Sequence, residues 1–156
     1  MKLNFGLLAL LAAFIAFPSL AHAQEGMVQI QSQYSVPITT ERLIVAAKAR
    51  GLNVIGRVNH AEGAKNAGMS LRPTELVIFG NPKVGTPMMV CSQTAGIDLP
   101  QKALIWEDAK GEVWLGYNNP TYVAERHRIE DCGMSVKKVE KALLSLAKLA
   151  TQPSPQ

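Results

Sequence analysis

One apolar run, Leu3 to Phe17, decides how much of this chain can belong to a fold. Only Asn4 and Gly6 interrupt it; Lys2 precedes it, and Pro18-Ser19 and Ala21-His22-Ala23 follow. A positive start, an apolar stretch and an A-x-A site are the layout of a secretory signal peptide. At about 15 residues the run falls short of the roughly 20 that a membrane-crossing helix needs. Residues 1–23 are therefore expected to be a signal peptide cleaved before Gln24, with 24–151 as one domain and 152–156 as a flexible tail. The product is expected to be exported, periplasmic or secreted, with no transmembrane span in the mature chain. No Cys stands at the cleavage site to carry a lipid.

Losing Lys2 takes the formal net charge from +4 to +3. The remaining basic residues are scattered from Arg42 to Lys148, with no stripe interleaved with stacking aromatics. Nucleic-acid binding has no footprint here. The length left after cleavage suits one domain with its own core; it excludes a multi-domain enzyme and a polytopic membrane protein.

The element order reads β-α-β-α-β-α-β-β-α-α. Met27 to Tyr34 alternates apolar and polar residues, the mark of a half-buried strand. Pro37 opens a helix that runs to Gly51. Leu52 to Val58 is a second strand with Val54 and Ile55 as its core, and Ala61 to Gly68 is weakly helical. Thr74 to Phe79 has a continuous apolar centre, which predicts burial on both faces. Gly80-Asn81-Pro82 predicts a turn, and Thr86-Pro87 predicts the start of a helix over Met88 to Thr94. Ala103 to Trp106 and Val113 to Tyr117 flank a polar, Gly-containing linker and form a hairpin. Asn119-Pro120 starts a helix over Thr121 to Ile129, and Ser135 caps the last one. The expected architecture is two-layer α+β: a mixed sheet of about five strands with helices mainly on one face.

Cys91 and Cys132 admit three states. A disulfide would close a loop of about 41 residues and stabilise by roughly 4 kcal/mol. Two thiols, one packed as a small apolar side chain, are the second. A metal or redox role is the third, although no C-x-x-C is present. Met69, Met88, Met89 and Met134, with His60, His127 and the cysteines, suggest a Cu(I) set. Met88 and Met89 are adjacent on a helix and diverge by about 100°, so the methionines read better as core and no metal is expected.

Leu71 to Met89, L-R-P-T-E-L-V-I-F-G-N-P-K-V-G-T-P-M-M, resembles the signature of the domain-of-unknown-function 302 family. Asn59-His60-Ala61, Gly96-Ile97-Asp98-Leu99-Pro100 and Tyr117-Asn118-Asn119-Pro120 extend the resemblance over about Val28 to Leu149. It implies a small two-layer α+β fold and supplies no reaction. The two cysteines are not part of the pattern.

The ligand-binding candidates are the polar strand ends: His60, Asn81, Lys83, Asp98, Asn118 and Asn119. Asp98 and Asn118-Asn119 are neighbours through the hairpin. His60 and Asn81 are neighbours if their strands run parallel. Arg126-His127-Arg128 reads as a solvated helix face. The leading function is a non-catalytic binding or accessory module for a small polar or anionic ligand, or for an envelope protein partner. The alternative is a small enzyme with His60 as general acid–base oriented by Asp98. A thiol-redox or metal protein built on Cys91 and Cys132 is the weakest reading. The cofactor is unknown, and the edge strand Met27 to Tyr34 leaves homo-oligomer formation open.

Overall fold

A computed structural model describes residues 26–130 and 135–153; the expected signal segment, Cys132, Met134 and the last three residues of the expected tail lie outside them. The alternation near the start forms β1 (Met27–Ser32), whose Val28, Ile30 and Ser32 face the core. Pro37 then falls in the first turn of α1 (Val36–Ala49), where its missing N–H has no partner to lose. Gly51 follows at φ 70°, the left-handed stop. Next come β2 (Asn53–Asn59), α2 (His60–Asn66), β3 (Thr74–Gly80) and α3 (Pro82–Cys91). A 3-10 turn (Gln93–Ile97) leads to the hairpin of β4 (Gln101–Glu107) and β5 (Val113–Asn118). Then α4 (Pro120–Arg126) and α5 (Val136–Thr151) complete the order.

The architecture is α+β, with one five-stranded sheet in the order β1-β5-β4-β3-β2. Every neighbouring pair is antiparallel, so the sheet is not mixed as the sequence suggested. The difference lies in α2. A parallel crossover needs a helix with an apolar face to lay on the sheet, and His60–Asn66 buries no residue. It therefore serves as an excursion between two antiparallel strands.

Two local boundaries also shift. Asn81 is not part of a free turn but caps α3, which runs through Pro87 instead of starting there. Pro87 removes one helical N–H, which a helix of this length tolerates once its cap is in place. Ile55, expected in the core, is 60% exposed because the register shifts between Val54 and Gly56 on the edge strand.

The inner sheet face is the core. Val77, Phe79, Ala103, Ile105, Leu115 and Tyr117 meet Leu43 and Ala47 of α1 and Leu143, Leu146 and Ala150 of α5. β3 was expected to be buried on both faces, yet its burial alternates. Glu75, Val77 and Phe79 point inward, while Leu76 and Ile78 are half-buried on the outer face. Trp106 and Trp114 pair across the strands on that outer face. Trp106 lies across Gly116, where a Cβ would come within 3.0 Å of the indole.

Polar contacts lock the helices to the sheet. Arg57 of β2 bonds the buried Glu75 carboxylate at 2.8 Å through Nε and 2.7 Å through Nη2, and Glu41 of α1 at 2.6 Å. Burial pulls the Arg57 pKa down, but the bonds to Glu75 and Glu41 outweigh it and hold the guanidinium above its ordinary value. Arg42 of α1 donates to the carbonyls of Leu149, Ala150 and Gln152 at 2.7–3.2 Å, while lying over the Tyr34 ring. Those are carbonyls that the end of α5 leaves without helical partners.

Tyr117 is 5% exposed. Burial, and then the charge of Glu140, push its phenol above the ordinary tyrosine value. A raised folded-state value means the neutral phenol is the favoured native form. The stability it contributes is complete below the ordinary tyrosine value and is lost as pH rises through the raised one. Urea denaturation across alkaline pH is expected to show that loss, and Tyr117→Phe is expected to flatten it. An unchanged alkaline slope in the variant would refute the assignment.

Candidate functional site

The antiparallel register gathers one set of strand ends. Asn53 opposes Gly80, Phe79 opposes Gln101, Ala103 opposes Tyr117, and Met27 opposes Asn118. Hence the residues following β3, preceding β4 and following β5 lie along the same edge. Asn81, Lys83, Asp98, Asn118 and Asn119 are all brought there. His60 is not. It follows Asn59, which opposes Glu75 at the other end of the sheet. The expected His60–Asn81 neighbourhood fails because β2 and β3 are antiparallel, and the His60–Asp98 acid–base pair fails with it.

Three asparagines at strand ends share one local task. Asn59, Asn81 and Asn119 cap α2, α3 and α4, each Oδ1 accepting a backbone N–H at 2.9 Å. Asn81 also donates from Nδ2 to the Gly51 carbonyl at 3.1 Å. An Asn cap typically contributes about 1 kcal/mol. Asn118 pairs with Met27 in the sheet ladder, and Lys83 is exposed on the first turn of α3.

Asp98 is the polar centre of the edge, 8% exposed at the start of the β4 approach. Its Oδ2 lies 2.7 Å from His127 Nε2 and its Oδ1 3.2 Å from Arg126 Nη1. His127 Nδ1 lies 2.9 Å from the Thr94 hydroxyl, which in turn lies 3.0 Å from the Ser92 hydroxyl. The Asp98 carbonyl accepts from Lys102 Nζ at 3.0 Å. The expectation of a solvated Arg126-His127-Arg128 face holds for the two arginines, which are exposed, and is corrected at His127, whose side chain is 6% exposed. Its position was available in the spacing. His127 follows the buried Val123 by four residues, so the two share a helix face.

The order carboxylate–imidazole–hydroxyl is that of a general-base relay. Here, however, the Thr94 hydroxyl is also held by Ser92, and neither Thr94 nor His127 lines the neighbouring cavity between α3 and α5. The network instead latches the 3-10 turn to the end of α4.

Beside this latch a cavity of about 760 Å³ opens between two hydrophobic clusters. One is the main core. The other is a satellite of Met88, Ala95 and Val123, with Met89, Leu99 and Ile129 packed on it. Met88 and Met89 of α3 form one wall, and Val139, Leu143 and Leu146 of α5 the other. Phe79, Leu99 and Pro100 supply the sheet end. Asn81 reaches the cavity; Lys83, Asp98, Asn118 and Asn119 do not line it. Sequence reasoning missed the cavity because its walls carry ordinary core residues. Cys91 closes α3, and Cys132 lies outside the described residues.

A one-sided, five-stranded antiparallel α+β domain with a strand-end cavity is the class this geometry defines. The family profile described as "Domain of unknown function DUF302" matches residues 28–148, and the chain belongs to that family. The crystal structure of an uncharacterized conserved DUF302 protein from Bacillus stearothermophilus superimposes with a TM-score of 0.73 at 18% identity, covering 81% of this chain and 99% of that one. It supports the fold. Two curated relatives carry the name "Fluoride-specific ion channel FluC 1". Those of Brucella suis biovar 1 (strain 1330) and Brucella abortus biovar 1 (strain 9-941) are each 45% identical over 128 residues, 82% of this chain. The match covers 49% and 46% of their respective lengths, so the chain spans about half of the curated relatives it matches.

Breaking the latch is expected to destabilise the domain, since either partner leaves a buried polar group behind. Asp98→Asn and His127→Gln should each cost about 1–3 kcal/mol in urea denaturation. The double variant should cost less than their sum, because the two residues share one interaction. Strict additivity would show that the contact contributes nothing.

Proposed function

We propose that the mature chain is an exported, non-catalytic binding module of the cell envelope, and that the cavity between α3 and α5 is its ligand site. The observation that carries this is the cavity itself. A volume of about 760 Å³ falls within the range of small-molecule sites, and its lining is mainly apolar with a few polar groups at its margins. Asn81 stands at the α3 side of the site, and Lys83 lies outside its lining. Asp98, Asn118 and Asn119 act behind it, holding the edge on which it is built. Cleavage after Ala23 would deliver the chain to an oxidising compartment, where we assign Cys91 and Cys132 to a disulfide that ties α3 to the segment after α4.

Native mass spectrometry tests this reading on mature protein purified from the envelope without denaturant. Expected are loss of residues 1–23, a mass lower by two hydrogens than the reduced chain, and an adduct that leaves on denaturation. A retained signal segment would refute export, and a mass matching two thiols would refute the disulfide. A bare chain that gains no adduct from an envelope lipid and metabolite extract would refute the binding role.

The name of the curated relatives bears on context. Among the described residues no helix is long and apolar enough to cross a membrane, and the sheet is open, with β1 and β2 as its edges. We therefore infer that this chain corresponds to a part of those longer proteins other than the ion-conducting path. Purified chain added to sealed vesicles should leave fluoride efflux at background; a specific fluoride leak would overturn that inference.

A further inference from the structure

The cavity has a chemical asymmetry that narrows its ligand. Among the described residues its lining includes two cations, Arg50 and Lys138, and no carboxylate. Both are exposed, which places their charges at the mouth. Arg50 rests on the Ser145 hydroxyl at 2.9 Å, a neutral partner. Among the described residues neither cation is held in an ion pair. Inside, the walls are thioether and aliphatic. Two apolar side chains that line the space, Ile55 and Val84, are 60% and 44% exposed, so the domain's own packing does not cover them. An apolar interior with a positive mouth is complementary to a molecule with an apolar tail and one negative end.

The geometry points to a single-chain carboxylic acid of the fatty-acid type, its tail between Met88, Met89 and Leu143 and its carboxylate at Lys138 and Arg50. This rests on the reading of the cavity as the ligand site and adds the class of ligand. A planar guanidinium can take both oxygens of a carboxylate, and the ammonium supplies a second charge. The tail would displace water from surface that the fold leaves bare.

Isothermal titration of the mature chain with octanoate, decanoate and laurate below their micelle concentrations tests the class. One site per chain is expected, with affinity rising by up to about fourfold per added methylene until the cavity is filled. Decanol should bind more weakly than decanoate, and added salt should narrow the gap. Lys138→Glu should weaken decanoate by at least about tenfold, the loss of a charge-assisted contact, while leaving decanol unchanged. Ala142→Phe, from an exposed position on the α5 wall, fills the space and should abolish binding of both.

Equal affinity for decanol and decanoate would overturn the carboxylate assignment. Undiminished binding by Ala142→Phe would overturn the location. If no chain length binds, yet an adduct co-purifies with the native chain and is lost in Ala142→Phe, the ligand class is wrong and the cavity reading stands. If no chain length binds and no adduct is found, both fall.

Discussion

Two helices from opposite ends of the chain close the inner face of the sheet. α1 follows the first strand and lies over β2 to β5, α5 lies beside it over β1, and residues of both join the inward side chains of β3, β4 and β5 in one cluster. That shared burial is the main apolar stabilisation the domain has, and the other elements are arranged around it. The helix between β2 and β3 buries no residue and joins them as an excursion instead of a crossover. The antiparallel order that results sends the approaches to β4 and the exits of β3 and β5 to a common edge.

The cavity follows from the same arrangement. α3, the 3-10 turn and α4 have no place on the inner face, which is already occupied. They form a second, smaller cluster at the sheet edge, held by Asp98 to Arg126 and His127. Two clusters with separate anchors need not meet, and between α3 and α5 they do not. Residues spaced three and four apart on α5 thus serve both purposes: Leu143 and Leu146 cover the sheet and also face the gap.

Much of the fold was legible before the structure. Alternation in Val28-Gln29-Ile30-Gln31, Pro37 before an apolar helical face, and Asn119-Pro120 each specify a local conformation through short-range sterics, and each element is found in place. Strand pairing was harder, because the choice between parallel and antiparallel for β2 and β3 depends on whether the intervening helix can be buried. The polar composition of His60 to Asn66 was the available sign. The edge itself was half legible. The hairpin alone fixes Asp98 beside Asn118-Asn119, whereas the placement of Asn81 needs the β3–β4 register. His127 was assigned to solvent because three basic residues in a row suggest a wet face. Its four-residue spacing from Val123 carried the opposite message. The cavity could not be seen at all, since an apolar residue facing a void and one facing a neighbour are the same letter.

The contacts of Arg42 also bear on when the domain can exist. Its three partners lie 107 to 110 residues further along the chain, and the backbone N–H of Gln33 donates to the Thr151 carbonyl. Among the described residues β1 likewise pairs only with β5. Closing contacts of such long sequence separation come late, because the intervening chain must first be brought together. Until α5 docks, α1 alone covers the inner face. Closure of the domain therefore waits on α5, which holds the first strand and the first helix together.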